Sequence, residues 1–528
     1  MPLGLQFFLV LFPFLSVFVG ILLFKRNAAE MAIMGLIICF IIAVLSFDTE
    51  PFVALSASIY GFLRSFGISI AIIFTMLLIF LMRETGALDT ISEAIKRVAY
   101  TKEEQSLFIG IGFGTFVTSL GIVTPAFFPP LLIAMGFGPV SAVAVSVLGY
   151  NASTSFAILS IPITIPAEEF HGVLDMSVLE FGYEYALNIS LFLPVIATIL
   201  SCAMLWIIGG RKSLKKGIIP AILSGLLIGF TSIFLVLIRA PIAILGVVAG
   251  LVSMIGLYLY FRWDRNRKDI KKKFDPLNKR KLLKAISPWL LLILLASISS
   301  IPAINEFLRT LDPSFSHWII AYETVEFDVF AQVYFWIGVT ALASFYLLKP
   351  TWKQSKNAIK TWSKSIWAPF IAYSLFFSIA YIMAWSGGSM SGRELDIATD
   401  SNMNHIAGQF LGNVFGPGYI FVAASLGLFG AIVGGSETAS NVLFFGIQRQ
   451  VTQELGLSDS QFMSVYAGHG VAGGVASAIT PSKINNAVAT IGEGRELESK
   501  ILRKHLLIVF IITIILSIMT AIFVSLSI

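Results

Sequence analysis

GGSETASN at 434–441 and AGHGVAGGVASAITPS at 467–482 bound a stretch that is polar at both ends and set among strongly apolar segments. It carries glycines, hydroxyls, an amide, a carboxylate and an imidazole. Hydrocarbon offers such groups no partner, so they are tolerated there only where protein or a water-filled cavity receives them. The stretch reads as half of a solute-binding site inside a membrane transporter. A second stretch of similar character, 114–166, reads as the other half; it contains TSLGIVTPAFFPP (118–130) and GYNASTS (149–155).

The surroundings point to the class. Of 528 residues, 57% are hydrophobic and 12% charged, where a soluble globular protein carries about 25% charged residues. Many windows of about 20 residues have almost no charge, which is the length a helix needs to cross a bilayer. The expected fold class is an all-α polytopic membrane protein. The formal charge of +6 does not imply nucleic acid as a partner, because segment 262–284 alone holds eleven Lys/Arg against three Asp. That segment reads as a cytoplasmic loop under the positive-inside tendency. Cys39 and Cys202 both fall in expected spans, so neither a disulfide framework nor a CxxC metal pair is indicated. The apolar run 3–24 has no basic leader and exceeds a signal-peptide core, so it reads as a retained first span.

Loop charges order the spans. Lys25 and Arg26 put the first turn inside and the N-terminus outside. Span two (about 30–47), an amphipathic or interfacial segment 51–65 and span three (about 66–83) follow. Segment 88–105 has the helical stripe Leu88, Ile91, Ile95 and Val98 and is expected along the inner surface. Residues 106–136 are too long for one span and are broken by glycine and proline, which predicts a re-entrant hairpin entered from inside. Span 139–161 has GYNASTS at its midpoint; the loop 162–185, with five acidic residues and no Lys or Arg, lies outside, and span 186–208 returns. Two plain spans, 217–238 and 241–261, and the basic loop lead to a second half. There the order is spans 286–302, 329–348 and 366–386, an exterior polar segment 387–406, a hairpin 408–456 entered from outside, and spans 462–484 and 505–527. Residues 1–210 thus form a first repeat, 211–285 a connection, and 286–528 a second repeat in the opposite orientation. The total is about twelve spans plus two re-entrant hairpins, with both termini outside, in the pattern of an inverted repeat. The spacing Gly149 to Pro162 recurs as Gly468 to Pro481.

A broken helix leaves N–H and C=O groups unpaired at mid-membrane; its N-termini suit a carboxylate, and its carbonyls and side-chain oxygens suit a cation. Candidate substrate-lining residues are Thr118, Ser119, Thr124, Asn151, Ser153 and Thr154 from the first half, and Ser436, Thr438, Asn441, Ser477, Thr480 and Ser482 from the second. Taken singly, such residues more often serve close helix packing; their clustering at the breaks favours a site. Glu437 differs, because an ionised acid at mid-bilayer costs about 2.5–3.5 kcal/mol on insertion scales. It reads as a proton carrier or cation ligand, a role His469 shares unless it is a structural hydrogen-bonding histidine. Arg64 and Arg393 are candidate partners for a carboxylate, although Arg64 sits near a span end from which it can snorkel. HExxH, GxSxG and Walker-type sequences are absent. No enzyme activity, cofactor or metal is therefore expected, and ion-gradient coupling is the default.

GSETASNVLFFGIQRQVTQELGLSD (435–459) and GHGVAGGVASAITPSKINNAVATIGEGRELESKILRKHLLI (468–508) resemble segments of the L-lactate permease family, and FGTF…TPAFFPPLLIAMGFGPVSA (113–142) resembles that family's first hairpin. The resemblance covers most of the chain and is strongest after Gly434. It implies import of L-lactate, glycolate or a related 2-hydroxy monocarboxylate with a proton. It also implies an elevator-type carrier of the ion transporter superfamily, in which a hairpin-bearing transport domain slides against a scaffold. By position, Ser436, Thr438, Ser440 and Asn441 match the family's polar tip motif, and Glu437 takes the place of an aspartate. Two departures stand out: Thr118 replaces the first hairpin's glutamate, and the lysine ahead of the family's Ser-Pro is missing, with Lys483 following the proline instead. Both remove charge from the expected site.

The expected partners are a small organic anion, a proton (with sodium as the alternative) and the lipid bilayer; a homodimer is allowed, and the location is the plasma membrane. The rival readings are a sodium-coupled or dicarboxylate carrier of the same superfamily and, in a different class, an anion channel or membrane receptor. A channel would show a continuous polar stripe, whereas polarity here is confined to the breaks.

Overall fold

The computed structural model describes residues 1–526 other than 25, 122–123, 268–277, 312–316, 319–323, 326, 393, 492 and 494. The chain is helical almost throughout, as a backbone in hydrocarbon must be if it is to pair its own N–H and C=O groups. Among the described residues nine stretches are apolar and long enough to cross a membrane, or up to ten if the bent pair Met403–Phe421 and Ala423–Gly434, which meet at 98°, is one span. This is a multi-pass membrane protein. One of the nine, Val178–Leu237, is broken by non-helical backbone at Gly209 and Gly210. Its second part folds back on its first: a Cβ at Gly225 would lie 2.2 Å from Thr198 Oγ1, and one at Gly229 2.3 Å from Pro194 Cγ. Only glycine permits that approach.

The helices form two packed groups. One holds Leu3–Leu22, Ala28–Ser46, Pro51–Arg64, Phe66–Glu84, Lys279–Ser299, Val333–Leu348 and Trp367–Ala384. The other holds the segments with breaks. Its first hairpin has arms 102–119, which includes a π-helical turn Leu107–Phe113, and Thr124–Ala134. A first broken helix follows, Pro139–Leu148, a 3-10 stretch Gly149–Phe156 and a helix to Phe170. The second hairpin joins Ala423–Gly434 to Glu437–Glu454, and the second broken helix is Asp459–Val475, Ala476–Ala478 and Pro481–Ala489. The pieces cross-pack: Pro481–Ala489 lies on Thr124–Ala134 and Pro139–Leu148, and the helix ending at Phe170 lies on Glu437–Glu454. Phe170 and Phe445 stack at 3.9 Å between centroids.

Two expectations are corrected. Residues 51–65, expected to be amphipathic or interfacial, form the helix Pro51–Arg64, which lies with one face on Trp367–Ala384 instead of at the surface alone; Gly61 would bring a Cβ within 2.6 Å of the Phe377 carbonyl oxygen. The broken span does not end at 161. Its helix continues to Phe170, so the exterior loop expected at 162–185 shrinks to about 171–177. Pro162 stops nothing because it stands in the first turn of the resumed helix, where a missing N–H is not needed. The Leu88, Ile91 and Ile95 stripe is buried as its spacing requires, packed against Lys279–Ser299. The centre of the basic loop and Arg393 lie outside the described residues.

Acidic residues counted toward that loop join the groups instead. Arg64 ends its helix in the first group, and its Nε donates to Glu169, 2.9 Å from Oε1 and 3.0 Å from Oε2. Its Nη2 donates to the Glu168 carbonyl at 3.2 Å, and the Tyr381 hydroxyl donates to Glu169 from a third helix. The Glu169 side chain is 3% exposed. A cavity of about 210 Å³ opens beside this pair, with a second pair, Arg309 and Asp328, on its wall. Removing one partner of a buried ion pair strands the other. Arg64→Ala or Glu169→Ala alone should therefore lower stability by about 3–5 kcal/mol, and Arg64→Leu with Glu169→Leu should recover most of the loss. Thermal unfolding of the detergent-solubilised variants checks this; a double variant no more stable than the single ones contradicts it.

Candidate functional site

The breaks set the site. In the first broken helix, Ser153 leaves helical geometry at φ −140°, and Ile158, Leu159 and Ser160 then take left-handed φ values of 47°, 56° and 67°. Left-handed backbone costs an L-residue roughly 1–2 kcal/mol, so the turn must be held from outside. Ser160 Oγ donates to the Ile242 carbonyl at 2.6 Å, and Asn441 Nδ2, reaching across from the second hairpin, donates to the Pro162 carbonyl at 3.0 Å. The second hairpin turns at Gly435, φ +75°, and Ser436 caps the next helix by accepting from the Ala439 N–H at 3.1 Å.

Glu437 is the first residue of that helix, where a negative side chain meets the positive end of the helix dipole. It is 4% exposed, and neither carboxylate oxygen has a hydrogen-bond partner. The hydroxyls of Thr154 and Ser155, from the first half, face it without closing a hydrogen bond. Gly474 of the second broken helix supplies the floor: a Cβ there would lie 2.1 Å from Thr154 Oγ1 and 2.6 Å from Glu437 Oε2. Lys483, in the first turn of Pro481–Ala489, interacts electrostatically with Glu437 while its Nζ donates to Ser477 Oγ. The Tyr150 hydroxyl also interacts with Ser477. The site thus keeps a lysine that the order of residues around the proline had suggested was lost, because the side chain reaches back across the break.

Buried polar atoms are paired in the great majority of cases. Here Asn151 Oδ1, Ser153 Oγ, Asn441 Oδ1, the Tyr185 hydroxyl and both Glu437 oxygens are buried and unpaired. They come from the first broken helix, the second hairpin and helix 178–208. Gly470 lies between two of them, its Cβ direction meeting the Tyr185 hydroxyl at 2.4 Å and Asn441 Oδ1 at 3.4 Å. Gly470 and Gly474, one helical turn apart, thus bring the Tyr185, Asn441 and Glu437 oxygens to one face, and a cluster of this kind can receive a small polar solute.

His469 is differently placed. Gln448 Nε2 lies 2.9 Å from its Nδ1, with Gln448 itself held by the Tyr419 hydroxyl at 2.9 Å. Its Nε2 lies 3.1 Å from Ser440 Oγ, which donates to the Gly427 carbonyl at 2.9 Å. A neutral imidazole with the proton on Nε2 satisfies each of these bonds. Ser119 and Thr480 turn into their own helices, bonding the carbonyls of Thr115 and Ala476, and Ser119 packs on Gly246. Thr118 and Thr438 are buried, the former with an unpaired hydroxyl. The side chains of Thr124 and Ser482 lie outside the described residues. The first hairpin joins the site at one remove, through its packing on Pro481–Ala489.

Several site residues escaped the reading of the sequence. Tyr150 and Ser155 lie inside GYNASTS and were within reach, since the break carries them. Gln448, an amide in mid-helix, was a weaker signal. Tyr185 had none, and neither did Tyr373, whose hydroxyl interacts with Ser436 from the other helix group.

A family model described as L-lactate permease matches residues 6–527. Among characterised relatives, the L-lactate permease of Salmonella typhi is 24% identical over 524 residues, covering 91% of this chain and 89% of that protein. The L-lactate permease of Bacillus subtilis (strain 168) is 24% identical over 549 residues, covering 93% and 91%. The glycolate permease GlcA of Escherichia coli (strain K12) is 22% identical over 542 residues, covering 94% and 92%. The relatives are permeases, not enzymes.

Gly474 and its neighbour give a matched test. Alanine favours a helix over glycine by about 1 kcal/mol at either position, yet a Cβ at Gly473 meets nothing closer than 3.4 Å. Gly474→Ala should push Thr154 and Glu437 apart and cut substrate uptake at least about tenfold, whereas Gly473→Ala should stay within about twofold of the parent, a gap of roughly 1 kcal/mol or more in transition-state terms. Equal uptake by the two variants contradicts the placement.

Proposed function

The chain belongs to the L-lactate permease family, and from that premise we propose that it is a symporter carrying a 2-hydroxy monocarboxylate, L-lactate or glycolate, together with a proton across the plasma membrane. The observation that carries this reading is the buried, unpaired carboxylate of Glu437 at the tip of the second hairpin, faced by hydroxyls from the first broken helix and by a lysine from the second. Such a carboxylate can take and release a proton in a closed site, while the lysine, the helix beginning at Pro481 and the hydroxyls of Ser477 and Thr154 suit an anion with a neighbouring hydroxyl. Glu437 carries the coupling role. His469, engaged at both ring nitrogens, holds the hairpin arm to the broken helix.

The transport fold is read as two inverted repeats with about twelve spans, both termini outside, working as an elevator. Four observations support it. The order hairpin then broken helix occurs twice. Each hairpin lays a glycine against the backbone of its own broken helix, Gly110 against Gly149 and Gly427 against His469. The cross-packing of Pro481–Ala489 on the first hairpin mirrors that of the helix ending at Phe170 on the second. The segments with breaks pack as one group together with Val178–Leu237, Leu245–Arg267 and Arg495–Leu526, and the seven helices of the first group pack as another, which suits a carrier sliding against a scaffold.

Purified protein in proteoliposomes should exchange labelled L-lactate or glycolate in counterflow and accumulate it under an inward proton gradient, with a sodium gradient having no effect. Uptake of neither substrate under either gradient contradicts the assignment. Glu437→Gln should remain folded and lose proton-driven accumulation; proton-driven accumulation in that variant removes Glu437 from the coupling role.

A further inference from the structure

We propose that Glu437 and Lys483 form a charge-exchange pair that sets one proton per monocarboxylate, with the Lys483 ammonium receiving the substrate's carboxylate. This rests on the reading that the Glu437 region holds the substrate. The two residues come from different breaks, Glu437 from the second hairpin tip and Lys483 from the resumed part of the second broken helix. They interact electrostatically but form no direct ion pair: Lys483 Nζ donates to Ser477 Oγ, and both Glu437 oxygens are unpaired. Glu437 is buried, Lys483 is half-buried, and the two do not touch, so an anion that reaches Lys483 displaces no ion pair with Glu437. The other titratable groups facing Glu437 are Tyr185, from helix 178–208, and Tyr466, from Asp459–Val475. Both are phenols and carry no charge near neutral pH.

Charge neutrality then does the coupling. In the empty site the carboxylate of Glu437 and the ammonium of Lys483 cancel. A monocarboxylate seated on Lys483 leaves Glu437 as an uncompensated anion. A proton on Glu437 alone leaves Lys483 as an uncompensated cation. With both bound, the substrate's negative charge cancels the lysine and Glu437 is neutral. The only covalent change is the O–H bond of Glu437, formed with a proton from water on the uptake side and broken on the release side. An uncompensated charge at the bilayer centre penalises movement by roughly 70- to 400-fold on insertion scales, so the half-loaded forms stay behind and the empty and doubly loaded forms cross. A dicarboxylate brings a second negative charge that the pair cannot cancel, which selects for monocarboxylates.

The test uses the full chain in proteoliposomes with labelled L-lactate. At a fixed inward proton gradient, an inside-negative potassium diffusion potential should leave the uptake rate unchanged; uptake that responds to the potential overturns the one-to-one count. Lys483→Gln should raise KM for lactate at least about tenfold, and Lys483→Arg, which keeps the charge, should recover most of that loss. If wild-type protein carries no lactate, the functional reading itself fails. If wild-type protein carries lactate with protons but Lys483→Gln leaves KM unchanged, or Lys483→Arg loses as much as Lys483→Gln, the charge-exchange pair alone is overturned.

Discussion

Hydrocarbon offers no hydrogen-bond partner, and in this chain that constraint decides where the backbone can break and what must surround each break. The left-handed turn at Ile158–Leu159–Ser160 exists because Ser160 and Asn441 satisfy the carbonyls around it. Those bonds tie the first broken helix to helix Leu245–Arg267's leading turn and to the second hairpin. A strained break in one half is thus stabilised by a side chain from the other. The same constraint explains the unpaired carboxylate of Glu437: a buried charge is retained only where something with opposite charge or hydrogen-bonding capacity comes to meet it.

Much of this was legible in the residues. Glycine and proline clustered inside apolar runs marked the breaks of both hairpins and both broken helices, although single glycines such as Gly225 and Gly229 serve close packing instead and the second hairpin begins at Ala423 where 408 was expected. Glu437 stood out for the same reason. What could not be read was how far a helix resumes after its break. Pro162 looks like a stop in the sequence and is a first-turn residue in the fold, so Glu168 and Glu169 were counted as loop acids when they lie in a buried helix end beside Arg64. Nor could the sequence bring Lys483 to Glu437 or Tyr185 to Gly470, since these meetings depend on how distant helices pack. His469 shows the opposite limit. An imidazole among glycines suggests chemistry, but Gln448 and Ser440, which occupy it, and Tyr419, which holds Gln448, lie 21 to 50 residues away in sequence.

The two helix groups meet through contacts of different strength. Phe7 on Phe410 and Phe14 on Phe444 are apolar ring contacts, which slide without leaving a polar group bare. The Arg64, Glu169 and Tyr381 cluster is directional and buried, and it ties the end of the first broken helix to Pro51–Arg64 and Trp367–Ala384. That broken helix carries Thr154 beside Glu437 before its strained turn and Glu169 at its far end, so the proposed solute site and the interface between groups share one element. In the proposed elevator, motion of the carrier group is felt at both ends of it.

The central claim is that a small anion binds between the second hairpin tip and the first broken helix, beside Glu437. Thiol protection tests it most directly. In a chain with Cys39 and Cys202 replaced by serine, Thr154→Cys is modified by a small water-soluble thiol reagent with and without L-lactate, and Val173→Cys in the exposed loop serves as the control. The account predicts that lactate slows modification at 154 and leaves 173 unaffected. Modification at 154 that is indifferent to lactate, in protein that still transports it, would contradict the account.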